Sequence, residues 1–64
     1  MNRDERMDWI ISIENSAANV SAELGPAVVN SLLARYNARN IWDVSPSNLS
    51  EVFNELDGIE VDLK

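Results

Sequence analysis

The chain has 64 residues, with 11 acidic against 5 basic side chains, a formal net charge of −6, no cysteine and no histidine. That composition excludes disulfide staples, thiolate metal sites and imidazole acid–base or metal chemistry. A phosphate backbone or an anionic membrane repels such a surface unless its few cations cluster, which argues against nucleic acid and membrane as partners.

The length supports a single small domain over residues 1–64, and at 45% hydrophobic the chain is too apolar for a disordered acidic tail. Its first segment, "DERMDWIISIENSAANVSAELG", places Ile10, Ile13, Ala17, Val20 and Leu24 three or four residues apart. That rhythm predicts a helix over residues 4–23 with one buried stripe, and Met7 and Ile11 beside it. Asp8, Glu14, Asn15, Asn19 and Glu23 supply the solvated side. Asp4 and Glu5 fall in the first turn, where acids favour the positive end of the helix dipole. Ser12 and the weak helix formers between Asn15 and Asn19 leave a break near Asn15 open, but the continuous stripe reads as one helix.

Gly25-Pro26 ends this element and starts the next. With Gly25 as N-cap, Leu24 and Val29 stand at the two positions of a hydrophobic staple. A second helix over 26–38 would bury Val28, Val29, Leu32, Leu33 and Tyr36. Asn37 or Asn40 can close it, because asparagine tolerates a left-handed conformation.

A third helix is predicted over 46–63, where Leu49, Val52, Phe53, Leu56, Ile59 and Leu63 keep an unbroken three-four rhythm. Two starts are open. Ser45 as N-cap makes Val44 and Leu49 a staple, whereas Asn48 with Glu51 has capping-box spacing. Gly58 interrupts the helix at a cost of about 1 kcal/mol relative to alanine. Asp57-Gly58 also reads as a turn before a short strand "IEVDL", but a lone strand leaves its backbone unpaired. The fold class is therefore all-α, a compact three-helix bundle or helical array. Its expected core is Ile10, Ile13, Val20, Leu24, Val29, Leu32, Leu33, Tyr36, Trp42, Leu49, Val52, Phe53 and Leu56.

The stretch "RYNARNIWDVSPSNLSEVF" has the outline of a helix-turn-helix. Its second helix, however, would offer DNA Asn48, Glu51, Glu55 and Asp57, and from Pro46 onward five acids face only Lys64. Arg35 and Arg39 are the only cations nearby, and a pair at a helix end more often answers the dipole. The corner reads as structural. The longer pattern "LLARYNARNIWDVSPSNLSEVFNEL", with Leu33, Tyr36, Ile41, Val44, Pro46, Phe53 and Leu56 at matching positions, resembles a helical corner of small proteins from phages and conjugative transposons. The resemblance covers about half the chain, with Asn37 where glycine is usual. It implies a mobile-element protein and carries over no activity.

Catalysis finds little support. Glu51 and Glu55 stand one turn apart with Asp62 further along that side, a spacing open to acid–base work or a hard cation. The chain has no EF-hand spacing, no glycine-rich phosphate loop and no base for a nucleophilic serine except Lys64. The carboxylates read as a charged outer face, with no enzyme activity, metal ion or cofactor expected. Trp42, between Ile41 and Val44, is expected to cover the core. Trp9 reads equally as core edge or, with Met7 and Ile11, as contact surface.

The sequence thus predicts non-catalytic protein–protein interaction, as an accessory or regulatory factor of a mobile element. Its protein partner would dock on the apolar edge at Met7, Trp9 and Ile11, or on the acidic face of Glu51, Glu55, Asp57, Glu60 and Asp62. The alternatives are an acidic mimic of nucleic acid that inhibits a basic DNA-binding protein, weak duplex binding through Arg35 and Arg39, and self-association. No apolar run approaches the roughly 20 residues of a membrane span, and the opening "MNRDERMDW" does not read as a secretory signal. A cytoplasmic protein is expected.

Overall fold

Helix α1 (Arg3–Leu24) realises the first stripe as far as Val20, burying Ile10, Ile13, Ala17 and Val20 together with Ser16. The computed structural model describes residues 2–64 of the chain. Asn2 caps α1, its side-chain oxygen accepting from the Glu5 amide at 2.8 Å, which satisfies one of the four N–H groups a helix start leaves free. Asp4 and Glu5 lie in that first turn. A 22-residue helix is about 33 Å long, and the molecule measures 32 × 22 × 15 Å. Helix α1 is therefore its long axis.

The chain reverses at Gly25, where φ 89° and ψ 159° fall in a region that only glycine enters without strain. Helix α2 (Pro26–Ala34) follows with proline in its first turn. It is shorter than the expected 26–38, because a Schellman closure ends it. Asn37 adopts a left-handed φ of 57°, its amide donates to Ala34 O at 3.1 Å, and the Ala38 amide reaches back to Leu33 O at 3.1 Å. Leu33 and Ala38, the apolar pair such a closure brings together, are both buried. Asn37, not Asn40, is the stop.

Two single 3₁₀ turns carry the chain to the last helix. In Ile41–Asp43 the Asn40 side chain accepts from the Asp43 amide at 3.0 Å. In Pro46–Asn48 the Asn48 amide donates to Ser45 O at 2.8 Å. The expected helix over 46–63 is thus a 3₁₀ turn followed by α3 (Leu49–Asp62). Neither Ser45 nor Asn48 caps with its side chain, so the capping box with Glu51 does not form. Val44 and Leu49 are both fully buried, as the staple reading requires. Helix α3 runs through Gly58, so "IEVDL" is not a strand.

Helix α1 packs against both α2 and α3, while α2 and α3 touch each other little. The architecture is three helices with the shared core along α1. Ile10, Ile13, Val20, Val29, Leu32, Leu33, Leu49, Val52 and Leu56 are buried as expected, and Tyr36 and Phe53 are partly so. Two core expectations fail. Leu24 is 47% exposed, because it is the last residue of α1 and the chain turns away immediately after it. Trp42 is 48% exposed, and Val44 takes the inner position of the corner instead.

The two glycines make opposite predictions. A Cβ at Gly58 meets nothing within 4 Å, so Gly58→Ala should stabilise the domain by about 0.5–1 kcal/mol. For a chain this size that is a rise of roughly 2–8 °C in melting temperature. Gly25→Ala also meets open space, but its positive φ should cost about 1–3 kcal/mol. Thermal melts followed by circular dichroism check both signs; a stabilised Gly25→Ala variant would contradict the turn geometry.

Candidate functional site

Two of the five acids expected on an outer face are already engaged inside the molecule. Glu55, on α3, receives Arg35 Nη2 on Oε1 at 2.6 Å and the Tyr36 hydroxyl on Oε2 at 2.6 Å. Both donors come from the C-terminal turn of α2, so one carboxylate ties α3 to α2. Glu60 faces the other way. Its Oε1 accepts from the Ser16 hydroxyl and its Oε2 from Asn19 Nδ2 at 3.4 Å. That explains why α1 buries a serine on its apolar stripe: the hydroxyl has a charged acceptor to meet.

Glu51, Asp57 and Asp62 are exposed. Positions 51, 55, 58 and 62 succeed one another at four, three and four residues, so Glu51, Glu55 and Asp62 share a side of α3 with Gly58 between them. Asp57 projects elsewhere, since two residues turn a helix by about 200° from Glu55. Among the described residues no cluster of three or more carboxylates comes together as metal ligands do. No helix of the described residues is long and apolar enough to cross a membrane.

The two arginines of the corner each face a carboxylate. Arg35 pairs with Glu55, and Arg39 Nε lies 3.8 Å from Asp43 Oδ2, whose same oxygen accepts from the Arg39 amide at 3.1 Å. Arg35 is thereby tied to α3, whereas the Arg39 side chain stays 92% exposed and its pairing is screened by water.

The apolar edge divides in two. Trp9 is half-buried and meets Phe53 of α3 edge to face, with centroids 5.8 Å apart at 64°. Such pairs add about 0.5–1.5 kcal/mol beyond the area they bury. Met7 and Ile11, each two residues away, point to the other side of α1 and are 38% and 49% exposed. Trp42, likewise exposed, is tied to α1 from the connection, where periodicity gives no sign of it. Trp42 Nε1 donates to Glu14 Oε1 at 3.0 Å, and its carbonyl accepts from Arg6 Nη2 at 3.0 Å. An indole N–H seeks a polar partner, and Glu14 on the outer side of α1 supplies it. The ring is thus held outside the core by Glu14, three residues beyond Ile11, while Arg6 holds the Trp42 backbone. The sequence carries no signal that singles out Glu14 for this role, because Asp4 and Asp8 border the Met7–Ile11 side at the same helical spacing.

The α2–α3 tie carries a pH signature. The Tyr36 hydroxyl, and after it the Arg35 guanidinium, hold the Glu55 carboxyl below its ordinary 4.5, outweighing a desolvation that pushes it up. The same hydrogen bond holds the Tyr36 phenol above its ordinary 10.0. A lowered carboxyl contributes stability above its unfolded-state value and loses it as pH falls through the folded one; a raised phenol contributes below its unfolded-state value and loses it as pH rises through the folded one. The tie therefore works at neutral pH and weakens at both extremes. In Tyr36→Phe the Glu55 carboxyl should titrate upward, closer to 4.5, and Glu55→Gln should flatten the loss of stability on acidification. Carboxyl-carbon NMR titration and melts across pH read these effects; an unmoved Glu55 midpoint in Tyr36→Phe would remove the hydroxyl as its cause. Comparison with protein-family models, curated proteins and solved structures gives no match for this chain.

Proposed function

We propose that this protein is a non-catalytic interaction module that binds a protein partner through Met7, Ile11 and Trp42. The observation that carries the reading is Trp42: a tryptophan 48% exposed, yet hydrogen-bonded through both its indole N–H and its carbonyl. Tryptophan is enriched among the few residues that dominate binding energy. A ring fixed before the partner arrives loses little freedom on binding, so more of the contact appears as affinity. Met7 and Ile11 extend the apolar surface beside it, with Arg6 and Glu14 at its polar edge. This moves the apolar contact from Trp9, which packs on Phe53, to Trp42.

The resemblance of the corner to small phage and transposon proteins supports placing this module among the accessory or regulatory factors of a mobile element. Charge favours the acidic mimic as a second reading, since Glu51, Asp57 and Asp62 are exposed on a chain of net charge −6. The two separate by salt. Exposed charge contacts are screened over about 8–10 Å at 0.1–0.15 M salt, whereas apolar docking survives it.

Affinity capture from the native cell, at low and high salt, tests this with wild type, Trp42→Ala and Ile11→Glu. Ile11 is exposed, so Ile11→Glu should leave stability within about 0.5 kcal/mol and separates lost binding from lost folding. A partner held at high salt by wild type and lost by both variants is the expected outcome. A basic partner lost at high salt and indifferent to Ile11→Glu would replace this reading with the mimic.

A further inference from the structure

Helices α2 and α3 both lean on α1 and barely on each other, which leaves a groove between them. Its floor is apolar: Val28 and Leu32 from α2 and Ile59 from α3. Along its α3 side lie Glu55, Gly58, Val61 and Asp62. The Arg35–Glu55 pair sits across it, where the one cation is already answered. Gly58 deepens the groove, because a side chain there would project into open space. Val61 is left in water.

We infer that this groove is a docking site for a basic amphipathic helix of a partner protein. Two features select that occupant. The floor offers apolar contacts along two antiparallel-running walls of helix, the setting in which a helix lays its apolar side at three- and four-residue spacing. The 9 residues of α2 extend about 13 Å, or two and a half turns, enough for two or three anchors. The α3 wall is acidic: Asp62 lines the groove unpaired among the described residues, Glu55 lines it shared with Arg35, and Glu51 lies one turn further along the same side of the helix. Lysines or arginines flanking the apolar anchors meet that row, and an acidic segment is repelled by it. A second copy of this chain brings its own net charge of −6, so like charges oppose self-docking here. The groove shares no residue with the Met7–Ile11–Trp42 surface, and this inference does not rest on that reading.

The test uses a labelled synthetic helical peptide with leucines at helical spacing and lysines on the flanks, beside a scrambled version and one with every lysine replaced by glutamate. Binding is followed by fluorescence anisotropy and located by amide NMR shifts on the whole chain. The lysine peptide should bind with shifts centred on Val28, Leu32 and Ile59, and the other two should not. Glu51→Lys with Asp62→Lys should weaken it by about tenfold or more. Gly58→Phe should block it, Gly58→Ala should leave it intact, and Ile11→Glu should change nothing. The charge-reversed pair sits at solvent positions, so it decides the matter even where Gly58→Phe fails to fold. Equal binding of the scrambled peptide would reduce the effect to charge alone and overturn the site. So would shifts centred on Met7, Ile11 and Trp42, an absence of binding, or groove shifts that grow with protein concentration without peptide, which would make a second copy the occupant.

Discussion

Everything in this molecule depends on one apolar stripe along one helix. Ile10, Ile13, Ala17 and Val20 form the buried row of α1, and both other helices pack on that helix. A chain of 64 residues buries about 60% of the surface it exposes when unfolded, so no second layer of core is available. The consequences are visible at its ends. The stripe continues in spacing to Leu24, but the facing elements do not, and Leu24 stays in water. At the corner there is room for Val44 inside and not for Trp42 as well.

With so little apolar area between α2 and α3, α3 is also held by polar ties that use its own acids, one to each of the other helices. Glu55 takes two donors from the end of α2, and Glu60 takes two from α1. These are charge-assisted hydrogen bonds, stronger than neutral ones. Glu55 stays in partial contact with solvent, at 35% side-chain exposure, so water screens much of what its charge contributes. The ties therefore orient α3 more than they stabilise it. They also divide its charge: Glu55 and Glu60 are engaged internally, and Glu51, Asp57 and Asp62 face outward.

Periodicity made the helices legible, because a buried stripe at three- and four-residue spacing has one geometric explanation. The glycine-proline break and the asparagine stop were legible for the same reason: few residues adopt those backbone angles. What spacing cannot carry is contact between elements. That Glu55 meets Tyr36 and Arg35 depends on how α2 and α3 approach, 19 and 20 residues apart in the chain. The tryptophans show both sides. Helical geometry alone separates Trp9 from Met7 and Ile11 by about 200°, and that much was open to the sequence. The Trp42–Glu14 bond spans 28 residues and was not.

The same shortage of core that makes the domain marginal also gives it surfaces to offer. An apolar side chain that finds no place on a single stripe must lie in water, and Met7, Ile11, Trp42 and Val61 do. Binding at either proposed surface would stabilise the folded state by mass action, by about 2.7 kcal/mol with a partner at a hundred times its dissociation constant. In a domain whose total stability is of the order of 5 kcal/mol, that is a large share. Folding and binding at these proposed surfaces would then be coupled without any moving part. A variant that weakens the α1 stripe enough to unfold a large share of the chains would lower apparent affinity at both proposed surfaces by depopulating the form that binds. A variant confined to one surface leaves the other at full strength, and that asymmetry is what separates a docking residue from a core residue in a molecule this small.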